Sequence, residues 1–564
     1  MKKSIFFFLL LFVTTCSIFA QNAREYLMNT LLTEIYVDLE VVSREKVDDL
    51  SRQFSIDHVS YEAETNVFRV RLWLAKRDYR PFLALNLPFQ IADLTDEKSE
   101  VEMALTYAEL SAQWDRYPSY PAYREALSFY SSCYPDLCRI DTILYPTPRN
   151  HAIFAVRLGR EREEGEYKPP FFYSSTMHGD EPVGYYMMLR LIDYILKNQQ
   201  DSLVSAILDK TDLWICPLEN PDGTYYTGDH ILGSFPVSRR ANASGYDLNR
   251  SYPPIDGMLP GAPEPEVEAM IEFVSSVSPV LSANLHGGAE LYNYPWDAFR
   301  SSDKKHPDSP WWTFMGERFT ERCRQRNPAY FPLQQNVVTA GGDWYIITGS
   351  RQDYMNHYMG CREATIEMST KKVVASSLLP SYWEYARDAL LNYIVEGTYG
   401  FSGIITDKES EKPIEAAVCL YNAESDSYGF FCFSDQKTGR YFRPIFPGNY
   451  SVIFMSKGYD PQMHTLTVTD KETRILNIAL ERSGETEGFF SVYPNPSSEY
   501  LIIRLKDFSL LQAAFFLTDL RGNIVYEGRL SNIENKIDIR FLSQGLYIVH
   551  VPGIKKMSRK FVKR

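Results

Sequence analysis

After its first twenty residues the chain has no apolar run approaching the roughly 18 residues that a membrane-spanning helix needs, so no span is expected in the mature protein. It also lacks any basic block away from its ends. With 72 acidic against 59 basic side chains and a net charge of -13, it is not expected to bind nucleic acid. Cysteine is scarce: one of the eight, Cys16, lies in the leader, and the other seven are odd in number, so at least one is unpaired or bridges chains. Cys133 with Cys138, and Cys419 with Cys432, are the pairs expected if an exported chain forms disulfides. Histidine is rare as well, nine in 564 residues, so two in matching positions carry weight. A content of 45% hydrophobic and 23% charged residues excludes a disordered, collagenous or disulfide-framed mini-protein and leaves room for several cores.

What is present divides into modules. Residues 1–20, MKKSIFFFLLLFVTTCSIFA, read as an export signal cleaved after Ala20, because Thr15 before Cys16 suits a lipoprotein site poorly. Residues 21–105 carry EIYVDLEVV, a polar helical segment and FRVRLWLA, the pattern of a small α+β domain. It shows one histidine, His58, and no visible chemistry, which fits a prosegment, a folding aid, or a packing or binding module. Residues 115–398 alternate apolar strands with amphipathic helices, which indicates an α/β domain with a mostly parallel or mixed sheet; a central mixed sheet is expected. Short strands over 399–482 predict a small all-β sandwich. The polar linker SGETEG (483–488) leads to a second small β module, 489–564, ending in KKMSRKFVKR.

Chemistry concentrates in the α/β region. FFYSSTMHGDEP places His178 and Glu181 at a strand-to-helix corner, and PVLSANLHGG ends a second strand on His286. Two imidazoles and a carboxylate make the open three-ligand zinc site of hydrolases, which keeps a coordination position for water. Glu367, in EATIEMS, is a candidate general acid/base. RRANASGYDLNRSYP offers Arg240, Asn249 and Arg250, side chains suited to a carboxylate and to a developing oxyanion.

HGDE, PLENPDG, the R-x-N-A-x-G-x-D-L-N-R string, PEPE-x-x-A, SANLHGGAELYNYPWD, DWY followed by QDY, and E-x-T-I-E occur in the order seen in zinc metallocarboxypeptidases. Residues 115–398 most resemble the regulatory N/E/D subfamily. The resemblance implies one Zn2+ held by His178, Glu181 and His286, with Glu367 as general base. It also implies that Arg240 stabilises the oxyanion, that Asn249 and Arg250 bind the substrate's C-terminal carboxylate, and that Tyr345 closes over bound substrate. Asp297 and Gln352 match positions facing the departing side chain, and the acid favours C-terminal Lys or Arg. Two departures stand out: Asp180 replaces the asparagine common in HGNE, and MSTKK lacks a cysteine that many relatives have.

Residues 399–482 resemble the transthyretin-like domain of this subfamily. Residues 489–564, through VYPNPSS, LTDLRGNIVYEG and LSQGLYIVHV, resemble the C-terminal sorting domain of the type IX secretion system. The expected partners are therefore peptides or proteins with a free C-terminus and a secretion machinery. The expected location is outside the cell or on its outer surface. A cell-wall peptidase acting on peptidoglycan stems, an amidohydrolase of N-acyl amino acids and a non-catalytic surface protein with a vestigial metal site remain open as rivals.

Overall fold

A computed structural model describes residues 23–95, 98–160, 167–258, 264–333, 336–422, 427–483, 489–506, 510, 513–530, 534–551 and 558–564. The expected export signal, residues 1–20, and residues 484–488 of the expected linker lie outside them. The chain divides into two compact units, residues 1–397 and 398–564.

After a helical stretch over residues 23–29, the first unit runs through β1 (Glu34–Val41), α1 (Arg44–Ser51), β2 (Ser55–Glu62), β3 (Val67–Ala75) and β4 (Gln90–Ile91), whose strands form an antiparallel sheet of order β2-β3-β1-β4. Alternation in β1 sends Ile35, Val37, Leu39 and Val41 into a core with Val47 and Leu50 of α1. Ser43 caps α1 by accepting the Lys46 N–H. The same core takes in Tyr345 and Ile347, far along the chain, so this domain packs directly on the α/β region.

The α/β region is built on eight strands: β5 (Cys138–Leu144), β6 (Ile153–Leu158), β7 (Pro170–Ser175), β8 (Asp212–Cys216), β9 (Leu281–His286), β10 (Ala289–Tyr294), β11 (Val338–Ala340) and β12 (Arg362–Ser369), in the order β11-β10-β12-β9-β7-β8-β6-β5. The four central strands, β12, β9, β7 and β8, run parallel, while β5, β6 and the β10–β12 pairing are antiparallel. The sheet is mixed, as the sequence predicts. Residues 170–175, 212–216, 281–286 and 362–369 are buried throughout, as expected of strands covered on both faces. Helices α2 (Val183–Lys197) and α3 (Leu379–Glu396) supply part of that cover. In such sheets ligands collect beyond the carboxyl ends of the strands, where β7, β9 and β12 place the candidate site.

The second unit holds eight strands between Gly400 and Leu480 and seven between Phe490 and Lys563 among the described residues. They form all-β sheets around two cores. One is built around Phe401, Val418, Cys432 and Phe454; the other joins Cys419 and Ile453 to Leu501, Phe515 and Val549.

Neither expected disulfide is present: all seven described cysteines are thiols. Cys419 lies opposite Phe431, and Cys432 opposite Val418. The two thiols therefore face opposite sides of the sheet and enter different cores. Cys133, at the end of its helix, is exposed, whereas Cys138, at the start of β5, is buried. No helix among the described residues is long and apolar enough to cross a membrane.

Candidate metal centre and active site

Beyond the end of β7 the chain turns through Thr176, whose φ of 58° is left-handed, and presents His178. Glycine follows because nothing larger fits. A Cβ on Gly179 would lie 2.4 Å from the Gly223 carbonyl carbon and 2.6 Å from the Arg239 carbonyl oxygen. Glu181 then precedes Pro182, which leads into α2. His286 is the last residue of β9, hydrogen-bonded alongside β7, so strand pairing alone carries it to the same sheet edge.

These three side chains meet in a buried cluster. His178 Nδ1 lies 3.1 Å from Glu181 Oε1, His286 Nδ1 lies 2.9 Å from Glu181 Oε2, and the two Nδ1 atoms are 3.2 Å apart. Among the described residues it is the one group of this kind that could hold a metal ion, with its candidate ligand atoms all within 4.8 Å of one another. Ligands about 2.0–2.1 Å from a tetrahedral zinc stand about 3.3 Å apart. Two ring nitrogens facing each other across a carboxylate are therefore already at the spacing an ion sets. His178 Nε2 meets Asp247 Oδ1 at 3.0 Å, the carboxylate partner that fixes the orientation of a ligating imidazole. The residues fit zinc.

Glu367 pairs in register with His286 across β12 and β9 and lines the cavity that the three ligands share. Its Oε2 is buried without a hydrogen-bond partner. Burial, then the Glu181 charge, pushes its carboxyl well above the usual range. Burial also opposes a charge on Glu181, but His178 and His286 outweigh it and hold that carboxyl well below the ordinary value.

Arg240 donates from Nε to Asp247 Oδ2 at 3.1 Å and from Nη1 to Glu181 Oε1 at 3.2 Å. Asp247 also caps the turn Leu248–Arg250 by accepting the Asn249 N–H at 2.9 Å. One carboxylate thus sets His178, Arg240 and the Asn249–Arg250 turn together. Its signal lay in the D-L-N-R motif, where sequence reasoning gave it no role. Asn249 and Arg250 line the cavity. Asp297 lines it too, and burial raises its carboxyl above the ordinary value. Gln352 stands behind it: its Nε2 donates to Asp297 Oδ1 at 3.0 Å, and its Oε1 accepts the Thr365 N–H at 2.7 Å. Tyr345 reaches the cavity from a loop clamped by the N-terminal domain, where Arg44 donates to the carbonyls of Asp343 and Trp344.

The N-terminal domain also enters the site, which its sequence did not reveal. Arg240 Nη1 donates to Asp57 Oδ1 of β2 at 3.4 Å, and Arg250 Nη2 to the Ile56 carbonyl at 3.5 Å. Lys372 Nζ lies 2.5 Å from Asp57 and 3.0 Å from Asp180 Oδ2. Asp180 also accepts from the Tyr36 hydroxyl at 2.7 Å, so this departure from HGNE serves the domain contact, and it holds Lys372, whose Nζ lies 3.9 Å from Glu181 Oε1. The cavity left among these groups is about 30 Å3, room for a water or two and not for a residue.

A parallel core with a buried His–Glu–His cluster at its carboxyl edge defines an α/β protein equipped to hold a metal ion at its strand ends. The chain belongs to the zinc carboxypeptidase family, whose profile matches residues 123–389, and a secretion system C-terminal sorting domain matches residues 491–564. Carboxypeptidase D of Homo sapiens is 31% identical over 338 residues, covering 57% of this chain and 23% of its own length. Carboxypeptidase M of Mus musculus is 30% identical over 318 residues, covering 54% of this chain and 70% of its own length. The chain thus spans about a quarter of the length of carboxypeptidase D. Among solved structures, thrombin activatable fibrinolysis inhibitor aligns at 15% identity with a TM-score of 0.48, over 65% of this chain and 99% of that one.

Proposed function

We propose that the protein is an exported zinc carboxypeptidase that removes a C-terminal Lys or Arg from peptides and proteins, and that residues 21–105 hold it latent. The observation that carries the enzymatic reading is the convergence of His178, Glu181 and His286 within 3.2 Å contacts, beside a buried carboxyl with an unpartnered oxygen, Glu367. Zinc, when bound by these three side chains, supplies Lewis acidity and a lowered water pKa.

The chain's own residues do the rest. Asn249 and Arg250 bind the terminal carboxylate, which restricts cleavage to chain ends. Glu367 accepts the proton of the attacking water and returns it to the departing amine. Arg240 donates to the oxygen that gains charge as the carbonyl becomes tetrahedral. Tyr345 closes the cavity against water. Asp297, held by Gln352, takes the cationic end of the departing side chain in a charge-assisted contact.

Latency is supported by the partners of the two arginines. Arg240 is occupied by the Asp57 carboxylate and Arg250 by the Ile56 carbonyl, both from β2, in a cavity too small for a substrate residue. Residues 399–482 act as a folding and packing module. The leader and the sorting domain carry the chain out of the cell, where it is released or tethered to the surface. The testing experiment compares peptides differing only in their last residue, before and after limited proteolysis between the N-terminal and α/β domains. Release of Lys and Arg after cleavage supports the reading; no release from any peptide by zinc-loaded, cleaved protein overturns it.

A further inference from the structure

His151 lies in the β5–β6 hairpin turn, away from the metal ligands, with a side chain only 5% exposed. Both of its ring nitrogens face carboxylates: Nδ1 is 2.7 Å from Asp222 Oδ1 and Nε2 is 3.1 Å from Asp229 Oδ1. A neutral imidazole has one N–H and cannot serve both, so this geometry calls for the imidazolium. Asp222 is gripped further by the Thr147 hydroxyl at 2.7 Å and the Arg149 N–H at 3.0 Å. The other titratable groups against the ring are Tyr120 at 4.5 Å and Tyr225 at 6.2 Å between centroids. The neighbouring Arg149 guanidinium turns away to the Tyr226 carbonyl at 2.6 Å.

Asp222 belongs to the short turn Pro221–Thr224, and that turn sits between two parts of the site. The Gly223 carbonyl accepts the Arg239 N–H at 2.9 Å, and Asn220, which caps the turn, donates to the carbonyls of Met177, Arg240 and Ala241 at 3.1, 3.3 and 3.1 Å. Gly179, next to His178, packs so closely on Gly223 that a Cβ would not fit. A shift of this turn therefore moves His178 and Arg240 together.

We infer that His151, as an imidazolium shared by Asp222 and Asp229, is a positioning residue that locks the Pro221–Thr224 turn and through it the placement of Arg240 and His178. Its effect on turnover rests on the carboxypeptidase reading; its effect on the turn does not. Although burial works against a charge on the ring, the two carboxylates raise its pKa above the ordinary value. The lock is therefore fully present below about 6.5 and is lost as pH rises through the higher folded value.

The test follows the His151 ring by NMR titration in the full chain, together with the exchange protection of the Arg239 amide, in wild type, Asp229→Asn and His151→Gln. Asp229 is half exposed, so removing its charge tests the coupling without emptying a core. Protection of Arg239 should fall with the same pKa as the ring, both moving to lower pH in Asp229→Asn, and His151→Gln should show low protection at every pH. In protein freed of its N-terminal domain, kcat should fall about tenfold in His151→Gln with KM little changed, and the alkaline limb of kcat should follow the ring pKa. Arg239 protection that is independent of the His151 titration and unaltered by His151→Gln overturns the inference even in a protein without peptidase activity. Coupled protection without turnover upholds the lock and contradicts only the carboxypeptidase reading.

Discussion

Asp57, on a strand of the N-terminal domain, accepts a hydrogen bond from Arg240, 183 residues later, at 3.4 Å. With Lys372 on its other side at 2.5 Å, this carboxylate is enclosed by two cations at the mouth of the metal cluster. They hold its pKa below the ordinary value against the effect of burial. Removing it leaves Arg240 with Asp247 and Glu181, and Lys372 with Asp180, so the cost is that of a lost hydrogen bond to a charged group, about 1.5–3 kcal/mol. Asp57→Ala should lower the free energy of unfolding of the first unit by that order, read by urea titration. The same variant should hydrolyse a C-terminal Arg peptide without proteolysis, at a rate at least tenfold above the intact wild type. Equal latency in both proteins would remove Asp57 from the account of inhibition.

Docking of the N-terminal domain should also depend on pH through Glu34. Burial of this side chain beside Arg239, 3.5 Å away, pushes its carboxyl up to about 7. The folded form thus binds a proton more tightly than the unfolded chain. Its stabilising effect is fully present below about 4.5 and fades as pH rises to about 7, a change of up to about 3 kcal/mol. Urea midpoints measured from pH 5 to 8 should fall with pH in wild type and vary less in Glu34→Gln. Equal slopes would place the pH dependence elsewhere.

Asp297 carries the proposed choice of departing residue. A hydrogen bond to a charged group contributes about 1.5–3 kcal/mol, or roughly 10- to 150-fold in rate. Asp297→Asn should lose that much kcat/KM on peptides ending in Lys or Arg while changing little on peptides ending in Leu. A uniform loss across all peptides would mean that Asp297 shapes the pocket without selecting the substrate.

The three side chains of the candidate metal cluster were legible because each sits in a local pattern. His178 and His286 end apolar strands before glycine, and adjacent parallel strands bring such ends together without further information. Glu367 was legible as a residue but not by its direction, which the register with His286 supplies. Asp247 was hidden by its type, since an aspartate in a turn-rich string reads as a cap, which it also is. Asp57 could not be found at all. In SIDHVSYE it has the appearance of an exposed strand position, and only the packing of two domains makes it a partner of Arg240. The cysteines failed for a related reason: closeness in sequence says nothing about which face of a strand a thiol takes.

Zinc should stabilise the first unit in proportion to its binding, by RT ln(1 + [L]/Kd). Chelation should lower the thermal midpoint, and added zinc should restore it. Asp247→Asn, which leaves the ligands in place but weakens the hold on His178, should weaken zinc affinity by about 10- to 100-fold. A midpoint indifferent to chelator would contradict metal binding at this cluster.

The central claim is tested most directly by the single-site variant Glu367→Gln, zinc-loaded and freed of its N-terminal domain, on a peptide ending in Arg. The account predicts zinc content equal to wild type and a fall in kcat of about 10²- to 10⁴-fold, the contribution of a positioned proton shuttle. Wild-type turnover in that variant would contradict it.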